Sequence, residues 1–220
     1  MSRGHLSQIR KWVEDAGRIL VLTHDNPDPD ALASAWALRR VFQRMGCRNV
    51  QTAYSGIVGR AENRFMIDIL RIPIEPAADK HWERADTVAL VDCQPGAGNV
   101  SLPRKAPAVR FVLDHHPLRQ TTRRIDYYDV RPEVGATATM AAEYLERVGV
   151  RLDRRLATAL FHAIRTETQN LGREASRTDA RQFSRLFPLV DNQALSRIEM
   201  APIPRAYFSM MNHAINGTRI

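Results

Sequence analysis

The architecture is indicated by one stretch near the N-terminus, RILVLTHDNPDPD at residues 18–30. Its first six residues are mostly apolar, which is typical of a short strand buried in a parallel sheet. Two prolines then interrupt the chain, and an apolar stripe with helical spacing begins at Asp30. The stretch therefore predicts a strand, a stiff acidic turn and a helix in direct succession.

Three further apolar runs predict strands, at Asn49–Tyr54, Thr87–Val91 and residues 109–113. Helical patterns lie before the first strand, at residues 6–16, and between the later strands, from residue 30 onward and at residues 60–70. This alternation predicts an α/β fold with a mainly parallel sheet and helices on both faces. From residue 135 onward the pattern is helical, which predicts a helical C-terminal part. Its helices are expected at residues 136–148, 153–168, 177–190, 195–199 and 205–215.

The composition of the 220 residues, with 44% apolar and 25% charged side chains, is that of an ordinary globular protein. The N-terminus lacks the apolar core of a signal peptide, and no apolar run reaches the roughly 20 residues of a membrane span. Cys47 and Cys93 show no metal-site or disulfide spacing. We therefore expect a cytoplasmic protein with no membrane partner.

The formal net charge is +8, and arginine supplies most of the positive charge. Such a surface attracts polyanions, including nucleic acid and nucleotides. An ordinary solvated surface explains the same charge equally well, so charge alone identifies no partner.

Candidate metal ligands are concentrated in the turn after the first strand. His24, Asp28 and Asp30 lie within seven residues, and Pro27 and Pro29 restrict the backbone between them. Carboxylates that converge in this way repel each other unless a cation neutralises them. An Asp that only caps the next helix is the simpler interpretation for either aspartate alone. The three residues together favour a metal site.

Two later strands also end in acidic or imidazole side chains. Asp92 follows the third predicted strand, and Asp114-His115-His116 follows the fourth. Ligands of α/β proteins bind at the carboxyl ends of parallel strands, so these side chains are expected to meet at one sheet edge. Mixed imidazole and carboxylate donors suit Mn²⁺, Fe²⁺ or Zn²⁺ better than Mg²⁺. Two divalent ions in such a site can drive in-line displacement at phosphorus.

Two segments of the helical part carry candidates for substrate contact. The first is Gly135-Ala-Thr137-Ala-Thr139, where free N–H groups at a helix start favour a phosphate; a small-residue helix start packed on the sheet is the alternative. The second is Arg165-Thr-Glu167-Thr168 near a predicted helix end, in which Glu167 is either a ligand or a surface acid. Arg165 and Arg173 are candidates for binding phosphate oxygens.

These motifs together resemble those of the DHH phosphoesterase superfamily. The first motif is His24-x-x-x-Asp28-x-Asp30, the second is Asp92, the third is Asp114-His115-His116, and the fourth is residues 135–139, in the same order as in the superfamily. The resemblance spans roughly residues 15–200. It is strongest to the branch with RecJ-like nucleases and NrnA-type oligoribonuclease/pAp phosphatases.

The resemblance implies a role for each of these residues. His24 and Asp28 would bind one Mn²⁺, Asp30 and His115 a second, and Asp92 would bridge the two; Mg²⁺ is the alternative ion. Asp114 and His116 would be the catalytic residues, with Asp114 orienting a neighbour and His116 contacting the scissile phosphate or acting as an acid. The implied substrate is a short oligonucleotide or a nucleotide phosphate such as pAp, and a homodimer is left open.

Two departures from the superfamily pattern concern Glu167 and the second domain. Glu167 occupies a position where the superfamily usually has Asp. Its extra methylene places the carboxylate farther from the backbone, so an equivalent position requires the backbone to lie farther from the site. No Gly-Gly-Gly-His-type segment of a second, substrate-binding domain occurs. We therefore expect a DHH domain at residues 1–200, followed at residues 201–220 by a helix or linker toward a missing domain.

Two alternative functions are compatible with the same residues. A pyrophosphatase or polyphosphatase would use the same metal-binding core. A non-catalytic nucleotide- or nucleic-acid-binding module would keep the fold and the positive charge without turnover. The complete set of candidate ligands favours an enzyme, a metal-dependent hydrolase of phosphodiester or phosphomonoester bonds.

Overall fold

A computed structural model describes residues 3–202 and 205–217 of the chain. Its sheet consists of six parallel strands in the order β3-β2-β1-β4-β5-β6. The strands are β1 (Arg18–Leu22), β2 (Asn49–Tyr54), β3 (Glu75–Pro76), β4 (Thr87–Val91), β5 (Val109–Asp114) and β6 (Tyr127–Val130). The central strands β1 and β4 lie side by side, with Ile19 opposite Thr87 and Leu22 opposite Leu90.

The α-helices precede, connect and follow the strands. They are α1 (Arg3–Asp15), α2 (Pro29–Arg44), α3 (Ala61–Leu70), α4 (Asp79–Arg84), α5 (Thr137–Arg147), α6 (Arg154–Glu167), α7 (Arg177–Leu186), α8 (Asn192–Glu199) and α9 (Arg205–Gly217). Short 3₁₀ helices lie at Thr122–Arg124 and Phe187–Leu189.

The two faces of the sheet are covered unequally. The larger core joins side chains of β1, β2, β4 and β5 to those of α1, α2, α3, α5, α6, α7 and α8. Trp12 of α1 stacks on Phe111 of β5 at 5.7 Å between ring centroids and meets Phe42 of α2 edge-on at 5.6 Å. The smaller core, on the other face, contains Leu20, Leu22 and Leu90 under Trp82 of α4 and loop residues.

The fold class predicted from the sequence is confirmed. The sheet is parallel, helices lie on both of its faces, and the C-terminal part is helical. β2 and β4 have the predicted bounds, and the predicted helices of the main body occur with ends shifted by a few residues. The predicted helix at 177–190 is divided into α7 and a 3₁₀ turn because Pro188 cannot donate a backbone hydrogen bond.

Four elements were not predicted: β3, α4, β6 and the 3₁₀ helix at Thr122–Arg124. The first is only two residues long and fully at the surface, and β6 is a half-buried edge strand. Neither shows the continuous apolar run that identifies the central strands.

The C-terminal segment expected at residues 201–220 contains α9, whose described side chains are all exposed, among them Phe208 and Met210. Positions 203–204 and 218–220 lie outside the described residues. Within the described part of the chain, no helix has the length and apolar character needed to span a bilayer.

Candidate metal centre

The turn after β1 presents His24 and Asp28 at the carboxyl edge of the sheet. Asp28 is the N-cap of α2, where its Oδ1 accepts a hydrogen bond from the Ala31 N–H at 3.0 Å. Pro29 occupies the first position of the helix, which suits a residue with a fixed φ and no N–H. Asp28 can therefore cap α2 and also belong to the cluster of candidate metal ligands. His24 Nδ1 lies 2.8 Å from the Asp25 carbonyl oxygen, which leaves Nε2 to face Asp28 and Asp92 at 3.8 and 3.5 Å.

Asp92 lies at the centre of the candidate ligands. One carboxylate oxygen, Oδ2, lies 3.5 Å from His24 Nε2, and the other, Oδ1, lies 3.8 Å from His115 Nε2. Two groups of converging donors result, and Asp92 is common to both: His24-Asp28-Asp92 and Asp92-His115-His116. The backbone of Asp92 is left-handed, with φ of 59°, a conformation that Asp tolerates better than most side chains. Strain of this kind is concentrated at functional sites.

Asp30 and His115 lie beside the second group. His115 Nδ1 is 3.3 Å from the Val134 carbonyl oxygen, and its Nε2 is 3.8 Å from Asp30 Oδ2. Both oxygens of the buried Asp30 accept backbone hydrogen bonds from the start of α5, from Thr137 N–H at 2.8 Å and from Ala138 N–H at 2.7 Å. Asp30 is absent from both groups of tightly converging donors.

The segment Gly135–Thr139 is completely buried, and most of its donors bond within the protein. Besides the bonds to Asp30, the Thr137 hydroxyl donates to Asp92 Oδ1 at 2.8 Å. The Gly135 N–H and the Thr139 hydroxyl donate to Asp179 at 2.8 and 2.5 Å. This geometry supports the packed helix start that the sequence left as an alternative. In this structure the donors of Gly135, Thr137 and Thr139 hold carboxylates, and their predicted binding of phosphate stays a prediction.

Asp114 and His116 form a hydrogen-bonded pair, and Gln94 holds Asp114 in place. His116 Nδ1 lies 2.8 Å from Asp114 Oδ1, and the Gln94 amide donates to Asp114 Oδ2 at 2.6 Å. Gln94 also donates to the Pro117 carbonyl oxygen at 3.1 Å and accepts from the Thr122 hydroxyl at 2.8 Å. Asp114 and Gln94 are buried, whereas half of the His116 side chain is exposed. The predicted role of Asp114 in orienting a neighbouring group fits this geometry, in which the neighbour is His116.

The electrostatics of the cluster favour a cation. Burial, reinforced by neighbouring carboxylates, raises the pKa of Asp30 and of Asp92. Burial alone would lower the pKa of His24, but hydrogen bonds to Asp28 and Asp92 outweigh it and raise the pKa to about 11. A protonated His24 thus supplies positive charge next to the carboxylates, as a bound cation would. Imidazole and carboxylate donors in this arrangement fit one or more divalent ions.

Two cavities flank the cluster. A cavity of about 620 Å³ includes Gln94, His116 and Arg119, and one of about 590 Å³ includes His24, Asp28 and Glu167. Glu167 is half-buried, and its pKa is raised by burial and by Asp28, which places its carboxylate in the field of the cluster. It is not one of the tightly converging donors.

The two arginines predicted to contact substrate lie in different surroundings. Arg165 lines the second cavity and forms an ion pair with Glu199 of α8. Arg173 is exposed, lies 4.0 Å from Glu174 and lines neither cavity. A substrate role therefore has geometric support only for Arg165.

Two residues of the site were missed as functional residues by sequence reasoning. Gln94 follows Asp92 closely, but nothing in the sequence indicates that its amide reaches Asp114. The sequence around Asp179 indicates only a helix start, Ser176-x-x-Asp179, in which the Asp179 carboxylate accepts from the Ser176 hydroxyl. Its bonds to Gly135 and Thr139 span 44 and 40 residues and required the tertiary structure.

A comparison with protein-family models matches residues 18–164 to "DHH family, N-terminal domain". The chain belongs to the DHH family. The matched residues include all four motifs, so the resemblance to the superfamily is confirmed. Assignment to the RecJ-like or NrnA-type branch stays a prediction.

Two curated relatives of this DHH-family chain are longer than it is. It is 35% identical over 207 residues to Uncharacterized protein MJ1633 of Methanocaldococcus jannaschii, covering 94% of this chain and 42% of that protein. It is 30% identical over 152 residues to a probable manganese-dependent inorganic pyrophosphatase of Bacillus cereus, covering 67% and 47%. The chain thus spans less than half the length of these curated relatives.

The fold also matches a solved structure. A crystal structure of an exopolyphosphatase-related protein from Bacteroides fragilis superposes with a TM-score of 0.74 at 18% sequence identity. The match covers 100% of this chain and 66% of the other. At this identity the likeness supports the fold and does not define the substrate.

Proposed function

We propose that this DHH domain is a metal-dependent phosphoesterase with two divalent ions, most suitably Mn²⁺. The observation that carries the proposal is the position of Asp92, whose two carboxylate oxygens face two different histidines in two donor groups. His24 and Asp28 would hold one ion, Asp30 and His115 the other, and Asp92 both. The similarity to a probable manganese-dependent pyrophosphatase supports the choice of Mn²⁺.

When bound, the two ions would activate water and stabilise the charge that develops at phosphorus during in-line displacement. The other steps use side chains of the chain itself. Asp114 orients His116, which is exposed enough to donate a hydrogen bond or a proton to a phosphate oxygen. The start of α5 fixes Asp30 and Asp92, and Glu167 supplies further negative charge or reaches an ion through water.

We propose short oligonucleotides and nucleotide phosphates such as pAp as substrates. Cavities of about 620 and 590 Å³ lie next to His116 and next to His24, and their volumes leave room for nucleosides beside a phosphate. The positive net charge of the chain supports attraction of such polyanions.

Pyrophosphate is the second candidate substrate. The sequence similarity to the Bacillus cereus protein favours it, because 30% identity extends over 152 residues. A larger cavity does not prevent a small anion from reaching the same ions.

Hydrolysis of 5′-labelled dinucleotides to pentanucleotides, pAp and pyrophosphate with added Mn²⁺ tests the proposal. We expect turnover of at least one nucleotide substrate, and loss of turnover with EDTA. Faster turnover of pyrophosphate than of any nucleotide would favour the second candidate. Nucleotide binding without turnover of any of these compounds, with Mn²⁺ bound, would contradict an enzymatic function.

A further inference from the structure

A third cavity, separate from the two beside the metal cluster, is lined by four arginines. A cavity of about 330 Å³ lies between α2, the end of α3 and the start of α6, and its arginines are Arg39, Arg40, Arg71 and Arg155. We call it the arginine pocket. Asp153 is its single carboxylate, and Trp36 and Gln43 also contribute to its wall.

Positive charge in the arginine pocket exceeds the negative charge available to it. Asp153 caps α6, with its Oδ1 accepting the Leu156 N–H at 2.9 Å, and its Oδ2 pairs with Arg40 Nη1 at 3.3 Å. It therefore neutralises one guanidinium of four. Converging like charges are unfavourable unless an opposite charge lies between them.

Arg39 gives an independent indication that a partner belongs in the pocket. Its Nε is buried and has no hydrogen-bond partner in the structure. Burial and the neighbouring Arg40 lower the pKa of Arg39, so its charge is poorly compensated. A buried donor without an acceptor costs about 1–3 kcal/mol. An anion in the pocket would offset the uncompensated charge of this guanidinium.

The arginine pocket is distinct from the candidate active site. Asp30 and Arg39 are nine residues apart on α2, which corresponds to about 14 Å along the helix axis. Arg155 is in the first turn of α6, whose opposite end carries Glu167. An anion in the pocket would therefore not contact the metal ligands.

We propose that the arginine pocket binds a phosphate group. Guanidinium groups donate paired hydrogen bonds that match phosphate oxygens, and they stay charged in partly buried positions. The volume equals that of on the order of ten water molecules, which admits a phosphate with part of its hydration. The phosphate is either free in solution or part of a nucleotide chain, since the pocket chemistry is the same for both.

Calorimetric titration of the 220-residue chain with inorganic phosphate, in EDTA and at constant ionic strength, tests this site without the metal cluster. We expect saturable binding at one site, and at least tenfold weaker binding in the double variant Arg71→Gln/Arg155→Gln. Both arginines are exposed, so this variant should fold, which its melting temperature would verify. The control Arg104→Gln/Arg197→Gln removes the same charge from exposed positions outside the pocket and should bind like the wild type.

A second arm uses a fluorescent hexanucleotide under the same conditions. Weaker hexanucleotide binding in Arg71→Gln/Arg155→Gln than in the control pair would support the pocket as a site for a nucleotide chain. Phosphate binding with equal hexanucleotide affinity in both pairs would support a free anion. Absence of saturable binding of both probes to the wild type, or equal losses in the two variant pairs, would overturn the proposal. Because no turnover is measured, failure here leaves the proposed phosphoesterase activity untouched.

Discussion

At the scale of single residues, the site depends on side chains that hold other side chains. Gln94 is the clearest case, because its amide bonds to Asp114 while its carbonyl oxygen accepts from Arg119 N–H at 2.9 Å and from Thr122. The sequence showed that Asp114 and His116 follow a strand. The sequence could not show that Asp114 is held by Gln94, because Gln94 lies 20 residues earlier in the chain.

Replacing Gln94 with Leu should destabilise the protein and impair His116. The variant leaves the buried Asp114 without its shortest hydrogen bond, which costs about 1–3 kcal/mol of unfolding free energy. We expect a lower kcat with retained Mn²⁺ binding. Urea unfolding and kinetics would measure both effects, with Gln120→Leu as the control at an exposed position in the loop after β5. Equal stability and kcat in the two variants would contradict the role of Gln94.

His162 predicts a pH dependence of stability. Burial, with a contribution from Arg165, lowers its pKa to about 4, against 6.5 for the unfolded chain. Below pH 6.5 the unfolded state binds the proton more readily, so stability falls as the pH drops toward 4. Between pH 7 and pH 5, His162 should account for a loss of roughly 2 kcal/mol.

Urea unfolding at several pH values would measure this loss as the difference between wild type and His162→Leu. The variant should show a flatter decline, whereas the control His213→Gln, at an exposed position on α9, should decline like the wild type. Parallel curves for wild type and His162→Leu would show that His162 is not titrating as described.

At the scale of elements, the central strands and long helices were predictable, whereas the contacts made by the start of α5 were not. Continuous apolar runs identified β1, β2, β4 and β5, and periodic apolar positions identified α2, α5 and α6. The residues that follow the strands could be placed at one edge because parallel strands end together. The pairing of α5 with Asp30, and of α7 with α5, depends on packing between segments about 40 to 110 residues apart.

Asp179 connects α7 to the metal centre and provides the test at this scale. Asp179→Ala removes the acceptor for Gly135, Thr139 and Ser176, so the start of α5 loses its anchor and no longer fixes Asp30 and Asp92. We expect a loss of about 2–4 kcal/mol in stability, from several lost bonds of roughly 1 kcal/mol each, and at least tenfold weaker Mn²⁺ binding.

Unfolding and Mn²⁺ titration of Asp179→Ala would be compared with Asp68→Ala, which lies exposed on α3. Mn²⁺ affinity equal to that of the control, in folded protein, would show that Asp179 does not act on the ligands.

At the scale of the whole molecule, the sheet gathers negative charge at one edge of a chain with net charge +8. Asp30, Asp92 and Asp114 are almost completely buried there. This concentration is unfavourable without a cation, so Mn²⁺ should stabilise the fold. At 100 times its Kd, a bound ion adds about 2.7 kcal/mol. For a chain of this size we expect a rise in Tm of roughly 5–10 °C, reversed by EDTA and measured by circular dichroism. An unchanged Tm at saturating Mn²⁺ would contradict the claim that a bound cation stabilises these buried carboxylates.

The central claim is that Asp92 is shared by two metal sites, and Mn²⁺ stoichiometry in Asp92→Asn tests it most directly. Asn tolerates the left-handed backbone at this position and keeps the shape of the side chain, so the fold should persist. The control is Asp25→Asn on the same turn, where the carboxylate bonds to Ser101 and belongs to neither donor group. We predict two Mn²⁺ ions per chain in wild type and Asp25→Asn, and at least tenfold weaker binding of both ions in Asp92→Asn. Undiminished binding of two ions to folded Asp92→Asn would contradict the account.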